Sequence, residues 1–133
     1  MPNDIHSHVS IVDDDQAIPK ALAILLRSFG FDVTCFCSGA ELLRYPELRS
    51  VEVVVSDIQM PQMSGLELAR ELRLRAPELP VILMTGNVGV AMTAAASDCG
   101  ATSIIKKPIK LDELLLAIRN VLSNPIPTHS SDS

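Results

Sequence analysis

From His8 onward, short runs rich in β-branched residues alternate with longer stretches whose apolar positions recur every three or four residues. The first kind of run suits a strand, the second an amphipathic helix, and their alternation marks βαβ units in a parallel sheet. The strand-like runs are Val9–Val12, Val33–Phe36, Val51–Val55, Val81–Met84 and Ser103–Ile105. Those at Val51 and Val81 are nearly continuous in apolar residues, as strands covered on both faces must be, and are read as central. The spacing predicts a first helix through Ile18, Leu22, Leu25, Leu26 and Phe29, ending at Gly30, a residue suited to a left-handed cap. Ser38-Gly-Ala-Glu41 and Ser64-Gly-Leu-Glu67 both have the form of a capping box, which places the second and third helices. The third presents Leu66, Ala69 and Leu72 on one face and stops before Pro77. A fourth, Ala-rich and almost uncharged, is expected over Val90–Cys99. The fifth carries Leu111, Leu114, Leu115, Ile118 and Leu122, with Asp112 and Glu113 in its first turn. Residues 1–7 are expected to form a flexible segment, 8–122 one domain, and 123–133, rich in Pro and Ser, a flexible tail or the start of a linker. No internal repeat is visible.

Composition narrows the picture. In 133 residues, 47% of them hydrophobic, there is enough apolar side chain for one real core, and a net charge of −5 is too small for a disordered chain. Acids outnumber bases, so no cluster of Lys and Arg is available to grip a phosphate backbone, and no direct nucleic-acid contact is expected. No apolar run approaches the roughly 18 residues that span a bilayer, and no basic, then apolar leader precedes Lys20. A cytoplasmic protein without membrane contact is expected. Cys35, Cys37 and Cys99 are odd in number and lack CxxC spacing, which suggests neither a disulfide framework nor a zinc site. They are read as reduced structural thiols, with Cys35 and Cys37 sharing one face of the second strand and buried as small apolar groups.

Functional groups in open parallel sheets collect at the carboxyl ends of the strands. Here those ends hold Asp13-Asp14-Asp15, Ser56-Asp57, Thr85-Gly86 and Lys106-Lys107-Pro108. Converging carboxylates repel one another, and a hard divalent cation, Mg2+ before Mn2+, relieves that repulsion with oxygen ligands. A carboxylate beside such an ion can attack phosphorus, while a lysine neutralises phosphoryl oxygens. Each piece alone also has a plain reading. The acids could be a solvated turn, Asp57 a turn initiator before Pro61, Gly65 a helix opener, Thr85-Gly86 a strand exit, and the lysines a solvated pair. Lys106 takes that last reading, because alternation points it away from the site. Asp15 is read as a helix-capping acid, and Met60 and Met63 as loop packing. His6, His8 and His129 have no evident partner and are assigned no role.

Taken together, His8-Val-Ser-Ile-Val-Asp-Asp-Asp15, Val55-Ser-Asp-Ile-Gln-Met-Pro-Gln-Met-Ser-Gly-Leu66, Met84-Thr-Gly86 and Lys106-Lys-Pro108 resemble the receiver domain of two-component response regulators. The resemblance covers about residues 8 to 122, and the run from Val55 to Pro61 is similar to receivers of FixJ-like regulators. It implies a CheY-like, doubly wound α/β fold, with a five-stranded parallel sheet in the flavodoxin-like order 2-1-3-4-5 and helices on both faces. It further implies that Asp57 accepts a phosphoryl group, that Asp14, Asp57 and the backbone carbonyl of Gln59 bind Mg2+, and that Asp13 holds a metal-bound water. Lys107 would pair with the phosphoryl group, across a cis bond to Pro108, and Thr85 would move to it. The fourth helix, fifth strand and fifth helix would then change their shared surface. At Ile104 the family usually has Tyr or Phe, so a smaller or differently shaped response is expected. The implied partners are a sensor histidine kinase, an output domain or target protein, and a second copy after phosphorylation. One rival is a haloacid-dehalogenase-type phosphohydrolase, which would need an acid where Gln59 stands. The other is a pseudo-receiver, which would lack one of the acids or the lysine.

Overall fold

A computed structural model of the protein describes residues 7–87 and 89–123. Five strands, β1 (His8–Val12), β2 (Asp32–Phe36), β3 (Val53–Asp57), β4 (Val81–Thr85) and β5 (Ser103–Lys106), pair in parallel in the order β2-β1-β3-β4-β5. The helices between them are α1 (Ala17–Ser28), α2 (Gly39–Leu43), α3 (Gly65–Arg75), α4 (Val90–Asp98) and α5 (Leu111–Ser123). The chain steps outward from β1 to β2 and then returns to β3. The order therefore reverses between β1 and β3, and a crevice opens there at the carboxyl ends.

Alternation along the strands divides the core between two faces. Val53 and Val55 of β3 join Val9, Ile11, Leu22, Leu26, Leu114 and Ile118 under α1 and α5. Val54 joins Val12, Leu42, Leu68, Leu72, Leu83 and Ala96 under α2, α3 and α4. Burying each such Leu, Ile or Val contributes roughly 1.5–3 kcal/mol, which fixes the strand ends in place.

Several boundaries differ from expectation. β3 begins two residues later than the apolar run and continues into Ser56 and Asp57, because Ser56 pairs with Val12 and Asp57 with Met84. Neighbouring strands on both sides hold polar residues in the ladder that their side chains alone would not place there. In α1 the buried seam is Pro19, Leu22, Ala23 and Leu26, while Ile18, Leu25 and Phe29 are 45%, 42% and 50% exposed. The helix is apolar on more than one face, so its period did not select which stripe turns inward. In α3, Leu68 joins Ala69 and Leu72 in the core and Leu66 is half-buried; in α5, Val121 is buried and Leu122 half-buried.

The capping box of α3 is complete, with Glu67 N–H donating to Ser64 Oγ (3.2 Å) and Ser64 N–H to the Glu67 carboxylate (2.9 Å). That of α2 is half formed. Ser38 Oγ accepts from Glu41 N–H, but the Glu41 carboxylate accepts from Cys37 N–H at 2.7 Å instead. Cys37 lies one residue past β2 and is exposed, so it does not share a strand face with half-buried Cys35; Cys99 is buried. Burial is the main cause raising the Cys35 thiol above its usual range. His8, expected to lack a partner, opens β1 with Nε2 2.8 Å from Thr34 Oγ1. His6, His129 and most of both terminal segments lie outside the described residues. Among the described residues no helix is long and apolar enough to cross a membrane.

Candidate functional site

Four strand ends meet at one rim. Asp13 follows β1, and its N–H donates to the Phe36 carbonyl at 3.1 Å, carrying the β1–β2 ladder one residue further and drawing Asp13 down to 2% exposure. Asp57 ends β3 at 6% exposure and Thr85 ends β4 at 1%. Lys107 comes just after β5, and its N–H donates to the Thr85 carbonyl at 2.7 Å. Lys106 is exposed, as alternation requires, and the Lys107–Pro108 bond is cis.

Lys107 Nζ lies 3.1 Å from Asp57 Oδ1 and 3.9 Å from Asp13 Oδ2. Carboxylate oxygens of Asp13, Asp14 and Asp57 lie within 4.8 Å of one another, with Asp14 exposed and the other two buried. Burial is the largest cause holding the Asp13 carboxyl above the usual carboxylate range. Asp57 and Asp14 add to that rise, while the Asp15 N–H, 3.0 Å from Asp13 Oδ1, and the Lys107 ammonium oppose it.

Three carboxylates facing one ammonium leave two negative charges uncompensated, which matches a divalent cation. All three donors are hard oxygens, and oxygens across a Mg2+ ion are separated by about 4.2 Å, so the cluster fits with a small contraction. Gln59 stands two residues beyond Asp57 in an exposed part of the following loop. Thr85 Oγ1 accepts from Asn87 N–H at 3.1 Å, which ties that hydroxyl to the loop leading into α4. Ile104 is half-buried opposite Leu83 on β4, against the α2–α4 side of the core. Asp15 does cap α1, accepting from Ala17 N–H at 3.1 Å. Met60 and Met63 pack against the same side of the core as Ile104.

Two further residues shape the site. A Cβ at Gly65 would lie 2.3 Å from the Asp57 carbonyl oxygen and 2.9 Å from Ile58 Cα, so only glycine lets α3 start against the backbone of Asp57 and Ile58. Its N–H donates to the Ile58 carbonyl at 2.8 Å, and Ser56 Oγ donates to the Asp57 carbonyl at 2.9 Å. Gln16, to which the sequence assigns nothing, directs Nε2 at the carbonyls of Asp13 (2.5 Å) and Phe36 (3.3 Å). A glycine inside a capping box was the available signal for Gly65; for Gln16 there was none.

This fold, with acids, a hydroxyl and a lysine on its carboxyl rim, defines a signalling module of the receiver class. The chain belongs to the family described as the response regulator receiver domain, whose model matches residues 9–119. Response regulator protein TodT of Pseudomonas putida is 36% identical over 120 residues, covering 90% of this chain and 53% of that protein. Response regulator MprA of Mycobacterium sp. (strain KMS) is 34% identical over 125 residues, covering 94% and 54%. The chain thus spans about half the length of these curated relatives. Among solved structures, chemotaxis protein CheY4 of Vibrio cholerae superposes with a TM-score of 0.82 at 26% identity, over 88% of this chain and 99% of that one. FIXJ-N does so with a TM-score of 0.80 at 35% identity, over 92% and 98%. Receiver domains serve phosphorylation-dependent signalling with histidine kinases and output domains, rather than turnover of a separate substrate.

Proposed function

We propose that Asp57 accepts a phosphoryl group from a phosphohistidine of a sensor histidine kinase, and that the modified domain presents an altered surface over α4, β5 and α5. The observation that carries this reading is the Asp57 carboxylate, paired with Lys107 at 3.1 Å and clustered with Asp13 and Asp14. Mg2+ would be held by Asp14, Asp57 and the Gln59 carbonyl directly and by Asp13 through water; when bound, it supplies positive charge for the phosphoryl oxygens. An Asp57 oxygen attacks phosphorus as the P–N bond to the donor imidazole breaks, the ring nitrogen keeping the electron pair and taking up a proton. Lys107 turns from the carboxylate to a phosphoryl oxygen. Thr85 donates its hydroxyl to another, and because that oxygen also accepts from Asn87 N–H, its movement pulls the loop into α4. Ile104, stiff at χ1, fills the vacated space and limits the response. Water later cleaves the acyl phosphate, restoring the carboxylate and releasing inorganic phosphate.

The switching unit is residues 8–122, acting in the cytoplasm without nucleic-acid or membrane contact of its own. The exposed apolar stripe of Ile18, Leu25 and Phe29 on α1, which starts beside the acids, offers the kinase a docking face. An output domain, a target protein or a second copy would read the altered surface. The complete set of acids and lysine speaks against a pseudo-receiver, and Gln59 speaks against a phosphohydrolase. Incubation with acetyl phosphate and Mg2+ should label wild-type protein at Asp57 and leave Asp57→Asn unlabelled, as read by intact mass spectrometry. Equal labelling of the two proteins overturns the assignment.

A further inference from the structure

We infer that Gln16 is a positioning residue for the cation site: its side-chain amide holds the Asp13–Asp14 peptide in the orientation that turns both carboxylates toward Asp57. This rests on the cation reading above and concerns a residue outside the ligand set. Gln16 stands immediately before α1 with helical backbone angles (φ −85°, ψ −8°), and its side chain makes no capping bond to the helix. Asp15 does the capping. The amide of Gln16 is therefore not needed by α1, and it reaches backward instead.

Its two targets, the carbonyls of Asp13 and Phe36, are both acceptors, so only the NH2 end can face them; two N–H groups meet two carbonyls. Phe36 O already accepts from Asp13 N–H. The backbone of Asp13 is thus held at its N–H by the end of β2 and at its carbonyl by Gln16. Because the peptide bond is planar, fixing that carbonyl also fixes the N–H and Cα of Asp14. Asp13 has its own restraints, from Asp15 N–H and Lys107. Among the described residues no hydrogen bond or ion pair of its own orients the exposed Asp14 carboxylate, so the restraint it receives is on its Cα, through the peptide plane that Gln16 holds.

Groups that orient metal ligands typically change metal affinity roughly 10–100-fold when removed. Gln16→Ala and the length-matched Gln16→Met both delete the donors while keeping good helix formers at the start of α1. Mg2+ titration of the full chain, followed by amide NMR, should give binding about ten-fold weaker in both variants than in wild type. In metal-free protein the Asp13 amide should exchange faster with solvent, while the thermal midpoint stays close to wild type. Affinities within about two-fold of wild type, or a fall in midpoint of more than about 10 °C pointing to a merely structural role, overturn the inference. A wild-type chain that shows no Mg2+ response overturns the cation reading, and this inference with it.

Discussion

The ammonium of Lys107 sits 3.1 Å from Asp57 Oδ1 and 3.9 Å from Asp13 Oδ2, so a single cation balances two carboxylates buried side by side. Without it both would repel at close range in a poorly solvated crevice. Lys107→Met should cost the metal-free protein on the order of 1–2 kcal/mol near neutral pH, discounted because the lysine is partly exposed. It should also tighten Mg2+ binding, since the ion no longer displaces a resident ammonium from Asp57, while labelling by acetyl phosphate falls. Urea unfolding and Mg2+ titration check the two halves; weaker Mg2+ binding in the variant would sink the competition argument.

Burial lifts the Asp13 carboxyl, so the folded, metal-free protein retains a proton that the unfolded chain has already released. Stability therefore falls as pH rises from the ordinary aspartate range through the raised value. Asp13→Asn removes that dependence. The variant should unfold at a higher temperature than wild type at neutral pH in the presence of EDTA, with the gap closing on acidification. A gap that is constant with pH would show that Asp13 is not the group responsible.

At Gly65 a single methyl group would meet the Asp57 carbonyl at 2.3 Å. Backbone cannot swing aside as a flexible side chain can, so α3 and the Asp57 peptide must separate. Gly65→Ala should lose about 1–3 kcal/mol in chemical denaturation and accept phosphate more slowly. An unchanged denaturation midpoint would mean the loop has slack that the geometry conceals.

In the proposed switch, Thr85 is what links Asp57 to the surface of α4, β5 and α5. With beryllofluoride and Mg2+, wild-type amide resonances should shift both around Asp57 and along α4, β5 and α5. In Thr85→Ala the shifts near Asp57 should persist while those over 103–106 shrink. Equal shifts at both places in the variant would remove Thr85 from the relay.

How much of this could be read from the chain follows from where each restraint originates. The acids, Thr85 and Lys107 were legible because each closes an apolar run, and a parallel sheet gathers such ends at one edge. The β3 boundary was not, since Ser56 and Asp57 stay in the ladder only through their partners Val12 and Met84. The inward stripe of α1 was not legible either, because Leu22 and Leu26 compete with Ile18, Leu25 and Phe29, and hydrophobicity alone cannot rank two apolar faces. Gln16 and Gly65 act through approaches between separate segments, Gln16 to Phe36 and Gly65 to Asp57, and no periodicity reports such meetings.

Asp13, Asp57, Thr85 and Lys107 each hang from a different strand of the sheet. A slip of one residue in any pairing would flip that strand's side chains to the opposite face. Chemical competence and native topology are consequently inseparable. Reactivity toward acetyl phosphate should vanish along the same sigmoid as the helical circular dichroism in a denaturant series, making this small molecule a probe of global folding as well as of signalling.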